Sequence, residues 1–266
     1  MYGKYSQEYI EDVLVRFAYH STGIEGNTLS LNDTRMILQY GGLPSEQGHS
    51  LREVYEVENH RQTFDYIFQE AQEKQPFSPF LVRNIHRLLT DHILVDSGQY
   101  KSVQNYILGT DSQTTEPFVV PAKMQEWCDN LNQPFQQAQN FNDKLTALMA
   151  SHIEFERMHP FSDGNGRTGR MLINYGLILE QTPLLVIERN YREQYIQFEE
   201  NQDVKELVNY AKEKLASEQE RMDNLYKTAM KQKQFEKEQW KKIDNGQLKA
   251  PKTSCQNNSS ESDKKD

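Results

Sequence analysis

The 266-residue sequence has only two cysteines, Cys128 and Cys255, and Cys255 lies in a polar tail. A structural disulfide is therefore not expected and a cysteine-built metal centre is excluded; Cys128 reads as a core filler. No stretch approaches the ~20 consecutive apolar residues of a membrane span. The first residues, MYGKYSQEYIEDVLVRF, lack the charged start, apolar run and small-residue cleavage site of a secretory signal. The expected setting is the cytoplasm, with no membrane partner. Basic charge is also short: 30 Lys and Arg against 39 Asp and Glu give a net charge of −9, which argues against a general grip on nucleic acid. The hydrophobic fraction, 36%, is low yet sufficient for a buried core in a chain of this length.

What is present is mostly helical periodicity. Ile10, Val13, Leu14 and Phe17 fall at helical intervals before Gly26 and Asn27, predicting a first helix that ends near Glu25. Ser30 with Asp33 resembles a capping box, opening a second helix that runs to Gly41 and Gly42. Further helices are expected over Leu51 to Glu70, Pro79 to His92, Met124 to Leu131, Leu145 to His159 and Arg167 to Leu179, with short ones to about Leu215. The stretch Asn105 to Pro121 differs. Tyr106, Ile107 and Leu108, then Phe118, Val119 and Val120, flank a polar turn-rich segment, which predicts a β-hairpin. Beyond Ser217 the chain is dense in Lys, Glu and Gln, and from about Asn245 it is polar and low in complexity, a composition that favours disorder. The globular part is expected to end near Met222. The predicted class is all-α with a small hairpin.

The segment His159-Pro-Phe-Ser-Asp163-Gly164-Asn165-Gly166-Arg167-Thr-Gly-Arg170 carries the chemistry. Gly164 and Gly166 let backbone amides approach a ligand, and the start of the following helix offers unpaired N–H groups at a positive dipole end, so the turn is suited to an anion. Arg167 and Arg170, three residues apart, can fork onto successive phosphates. Asp163 supplies a hard oxygen suited to Mg2+ beside phosphate. His159, with an unperturbed pKa of ~6.5, suits a general base for an incoming hydroxyl. Gly164 to Gly169 formally fits G-x-G-x-x-G, but helical periodicity precedes it where a dinucleotide fold needs a strand, and no Lys-Ser or Lys-Thr follows as in a Walker loop.

HPFSDGNGRTGR resembles the signature of the Fic family, His-Pro-Phe-x-Asp/Glu-Gly-Asn-Gly-Arg-x-x-Arg, and matches every fixed position. The surroundings from about Leu51 to Leu215, including His86, Gly98 and the hairpin, are similar to the family's helical core. The resemblance implies a protein adenylyltransferase that moves AMP from ATP to a Tyr, Thr or Ser hydroxyl of a target protein, itself included. It assigns His159 as base, Asp163 to Mg2+, Gly164, Asn165 and Gly166 to an anion hole, and Arg167 and Arg170 to the phosphates of ATP. It also makes the hairpin, with Phe118, Val119 and Val120, a flap that docks the target. Retention of the Gly-Asn-Gly turn favours AMP transfer over transfer of the terminal phosphate.

Glu25 lies in the last turn of the first predicted helix, where the dipole disfavours an acid, so it should seek a cationic partner. Ser21-Thr-Gly-Ile-Glu25-Gly26 resembles the family's inhibitory motif in its N-terminal subclass, which implies that Glu25 pairs with Arg170 and holds ATP in an unproductive pose. The expected organisation is 1–50 for the helices carrying this motif, 51–215 for the catalytic core and 216–266 for a charged helical extension and disordered tail. Two other readings stand beside transfer: removal of AMP from a modified protein by the same site, and nucleotide binding or partner recognition without turnover.

Overall fold

A computed structural model describes residues 4–42, 48–106 and 113–245. Nine α-helices and one short 3-10 turn occur among them. Residues to Tyr226 form one compact unit, and Lys227 begins a second.

Helix α1 (Gln7–Ile24) starts where the Ser6 hydroxyl accepts from the Tyr9 amide and ends at Glu25, followed by Gly26 at φ +99°. Its buried stripe is Tyr9, Ile10, Val13, Leu14, Phe17 and Ala18, at the spacing that builds one apolar face. In α2 (Leu31–Tyr40), Ser30 and Asp33 form the reciprocal capping box read from sequence, and Gly41 closes the helix at φ +62°. Ser50 and Glu53 make a second box at the head of α3 (Leu51–Gln72). Helix α4 (Pro79–Leu89) has Ser78 as its cap and Pro79 in the first turn, where a missing N–H costs nothing. It stops three residues before the expected His92, with Thr90 closing it.

Helices α5 (Val120–Gln137) and α6 (Phe141–Met158) lead to α7 (Asn165–Leu179). Thirteen of the fifteen residues of α7 are buried, because α1, α3, α4 and α6 all pack against it. A helix enclosed on all sides keeps the loop that feeds it in a fixed position. After a 3-10 turn at Arg189–Tyr191 and α8 (Arg192–Glu200) comes α9 (Val204–Asp244). Of the short helices expected to about Leu215, the 3-10 turn and α8 are short, while the last is a helix of 41 residues. No Gly or Pro interrupts it, and its Lys, Glu and Gln side chains favour helix at every turn. Its early part is held to α1 by Glu218, which takes a two-pronged bond from Arg16 at 2.5 and 3.0 Å. No described helix is long and apolar enough to cross a membrane.

The hairpin expectation needs correction. Tyr106 and Gln113 form an isolated antiparallel bridge, while residues 107–112, including Ile107 and Leu108, lie outside the described residues. The proposed second arm is not a strand: Phe118 and Val119 are in a turn and Val120 begins α5. The amides of Val119 and Val120 already donate to the carbonyls of Glu116 and Pro117, and Pro121 has a fixed φ suited to a helical first turn. Backbone donors spent this way cannot pair with a neighbouring strand.

Candidate active site

His159 ends α6 in the left-handed conformation, at φ 48° and ψ 61°, and so reverses the chain into the loop. The loop is then held at several points. Phe161 is fully buried and stacks on the His86 ring at 3.7 Å with planes 2° apart. The Asn165 side chain accepts from the Phe161 amide and donates to its carbonyl, both at 2.9 Å, and Asn105 donates to the same carbonyl at 2.7 Å. His86 accepts from the Gly98 amide through Nδ1 and donates from Nε2 to the Asp163 carbonyl at 3.0 Å. Burial lowers its pKa to about 4, so it is neutral with the proton on Nε2. Gly164 has φ +75°, and a Cβ there would come within 2.9 Å of Thr90 Cγ2; only glycine meets both demands.

The His159 ring bonds through Nδ1 to the Glu156 carbonyl at 3.1 Å. A carbonyl accepts only, so Nδ1 carries the proton and Nε2 keeps a lone pair. Burial is the main reason its pKa is lowered, which keeps that lone pair available at neutral pH. Asp163, 45% exposed at its side chain, pairs with Arg52 and accepts from the Gly164 amide at 2.6 Å. Burial pushes its carboxyl up, but Arg167, the Gly164 amide and Arg52 outweigh this and hold it below the usual range. Arg167 is 2% exposed. Its carboxylate neighbours stand off, Glu56 at 3.6 Å and Asp163 at 3.9 Å, and its Nε and Nη1 have no hydrogen-bond partner. No side chain caps α7. A buried cation whose donors find no partner within the chain, on a helix with no side-chain cap at its N-terminus, suits an anion.

Arg170 is placed differently. Its Nη2 donates to Glu25 Oε1 at 2.7 Å and to the Ser21 carbonyl at 2.9 Å, and its Nε to the Ser21 hydroxyl at 3.0 Å. Burial lowers its pKa, yet the Glu25 carboxylate outweighs burial and raises it. Glu25 presses so close to the α7 N-terminus that a Cβ on Gly166 would collide with its carboxylate and with the Arg170 guanidinium. Asn27 fixes the following turn by donating to Glu56 Oε2 and the Glu53 carbonyl, both at 3.0 Å.

Thus His159, Asp163, Gly164, Gly166, Arg167 and Arg170 share one site, with Ser21 and Glu25 reaching into it from α1. The Asn165 side chain is spent on the loop itself, which leaves its backbone amide for a ligand. Phe118, Val119 and Val120 do not share one exposed edge: Phe118 is 81% exposed, Val119 is intermediate and Val120 is in the core. Phe118 instead lines an open groove of about 400 Å3 with Tyr106, Gln113 and Glu116. Three residues were missed. Arg52 and Glu56 pair at 3.1 Å one turn apart in α3 and meet Asp163 and Arg167; their i,i+4 spacing was a visible but common signal. Lys101 is 2% exposed and donates to Asn105 Oδ1 at 2.6 Å and Thr114 Oγ1 at 2.9 Å, and burial lowers its pKa to about 8.

Residues 76–177 match the family model described as Fic/DOC family. Proteins named Protein adenylyltransferase Fic from Aedes aegypti and Culex quinquefasciatus are each 30% identical over 191 residues, 71% of this chain and 37% of theirs. The chain thus spans little over a third of the length of these relatives. A Fic domain-containing signaling protein from Bacteroides thetaiotaomicron superposes with a TM-score of 0.71 at 26% identity, over 78% of this chain and 84% of that one. Fic-1 from C. elegans gives 0.67 at 25% identity, over 84% and 64%. With the loop, its flanking helices and these likenesses in agreement, the chain is a member of the Fic/DOC family, through the Fic domain it carries.

Proposed function

We propose that this protein is an adenylyltransferase that moves AMP from ATP to a hydroxyl of a target protein and restrains itself through Glu25. The observation that carries the reading is Arg167, a buried guanidinium with unfilled donors, on the helix that begins six residues after the free nitrogen of His159. An anion site beside a base suits attack of a hydroxyl on phosphorus. The names of the similar proteins support the same reaction.

His159 Nε2 takes the proton of the incoming hydroxyl, and the Glu156 carbonyl keeps the ring in the tautomer that can do so. The first amides of α7, with Arg167, hold phosphate oxygens as the bond to the α-phosphorus forms and pyrophosphate leaves. Asp163 fits Mg2+: it is an ionised, half-exposed carboxylate next to unfilled phosphate donors. When bound, the ion would neutralise charge growing on the leaving group. Residues 1–50 supply the brake, 51–215 the catalytic core and 216–266 an extension. The Glu25–Arg170 pair supports the brake, because a guanidinium holding a carboxylate and Ser21 is not free for ATP. Phe118 and the adjoining groove are the part of the flap region we assign to target docking. The cytosolic setting belongs to the same reading.

The deciding experiment is mass spectrometry of Glu25→Gly incubated with Mg-ATP and a cell lysate. An adenylyl mass is expected on the protein and on lysate components, and absent when His159→Ala is added to the same chain. Absence from Glu25→Gly itself overturns the reading.

A further inference from the structure

A second cluster of chemically capable side chains lies between α6 and α8. His152, Glu156 and Glu199 each bring one donor atom within 4.8 Å of the other two. His152 and Glu156 are one turn apart on α6, and Glu199 comes from α8. His152 Nε2 stands 3.2 Å from Glu199 Oε1 and 2.5 Å from the Tyr195 hydroxyl, and its Nδ1 is 4.0 Å from Glu156 Oε1.

Being acidic and buried does not make these residues a site. What points to a ligand is that their atoms go unpaired. His152 is 2% exposed and Glu156 9%, and His152 Nδ1, Glu156 Oε1 and Glu199 Oε1 all lack a hydrogen-bond partner. Among the described residues, eight buried side-chain atoms are in that condition, and three of them meet here. Two of the three are carboxylate oxygens, which can only accept unless protonated. Arg170, the cation whose charge Glu156 feels, is already committed to Glu25 and Ser21. A desolvated pair of carboxylates with one imidazole between them calls for a positive centre that brings several bonds at once.

We propose that His152, Glu156 and Glu199 bind one divalent transition-metal cation, with Zn2+ the best match, which staples α8 to α6. Mixed nitrogen and oxygen donors select zinc, cobalt or manganese over magnesium and calcium, which prefer oxygen alone. His152 would bind through Nε2, since bonds of ~2.0–2.2 Å place tetrahedral ligand atoms about 3.3 Å apart, close to its 3.2 Å separation from Glu199 Oε1; Nδ1 then lies outside the coordination sphere. The Tyr195 hydroxyl is at hand as a further oxygen. The site has a structural link to the loop, since Glu156 would bind metal through its side chain while its carbonyl holds His159 Nδ1.

The test uses the untagged full chain, stripped with a chelator and dialysed against zinc chloride, with metal measured by elemental analysis. One zinc per chain is expected, not displaced by a tenfold excess of Mg2+, with Tm raised by several degrees. Glu199→Gln, which keeps size and shape, should bind at least about tenfold more weakly, as should His152→Gln. Cobalt in the wild-type protein should give a visible absorption band stronger than that of the aqueous ion. Sub-stoichiometric zinc, uptake equal in wild type and Glu199→Gln, or a cobalt spectrum like that of the free ion each overturns the proposal. Because the readout is metal content and spectrum, it stands apart from the transfer reaction.

Discussion

Arg167 and Arg170 lie three residues apart on the same helix, both 2% exposed, and their surroundings are opposite. Arg170 has a carboxylate, a hydroxyl and a carbonyl on its donors, whereas Arg167 keeps Nε and Nη1 empty. Burying a charge is costly, and the cost is met either by a partner within the chain or by one that arrives. The α1–α7 contact has the first kind of arrangement and the loop face has the second. On the proposed reading, the first is a latch and the second a binding site.

The largest effect should come from the loop face. His159→Ala is expected to lower AMP transfer by ~10²–10⁴, while ATP affinity measured by calorimetry stays within about twofold. A parallel loss of ATP binding would make His159 part of the anion cradle instead of a base. On the latch face, Glu25→Gly should raise labelling from ATP carrying a radioactive α-phosphate by about tenfold or more. The same change should cost only about 1–2 kcal/mol of stability, well below the ~3–5 kcal/mol of a fully buried pair, because the Glu25 side chain is 41% exposed. Unchanged labelling with a lowered Tm would leave the pair purely structural.

A third comparison sets His86 against its own unfolded state. Its folded pKa of about 4 lies below the ordinary 6.5, so the unfolded chain binds the extra proton first. Stability is therefore full above pH 6.5 and falls as pH drops from 6.5 to 4, by up to about 3 kcal/mol. His86→Gln should flatten that part of the profile in urea unfolding; an unaltered slope would show that other groups carry it, His60 first, whose pKa burial also lowers, to about 3. The smallest effect is expected at the groove: Phe118→Ala should raise KM for the protein target a few-fold without altering self-labelling, and no change in KM would remove Phe118 from docking.

Much of the fold was legible because its signals are local. Ser30 with Asp33, Gly41 and the turn at Glu25 to Asn27 mark helix ends through backbone donors and acceptors a few residues apart. The loop was legible for the same reason, since two glycines, two arginines, an acid and a histidine fall within twelve residues. The rest depends on partners distant in sequence. Arg52 reaches Asp163 across 111 positions, and Lys101 is recognisable only once Asn105 and Thr114 fold over it. The Phe118 to Val120 arm failed because β-branched residues were read without weighing Pro117 and Pro121, which commit the segment to a turn and a helix start. The Lys, Glu and Gln composition beyond Ser217 was legible as a charged helical extension; that it continues the helix beginning at Val204 without a break was not.

The missing Cβ at Gly166 has a consequence for control. The Glu25 carboxylate rests against the α7 N-terminus, ground that a phosphate group would claim in the proposed reaction. On the proposed reading, carboxylate and nucleotide compete for that ground under mass action, and the set point of the reaction would drift with ATP concentration. A methyl group at that position would push the Glu25 carboxylate off the helix end and crowd the Arg170 guanidinium.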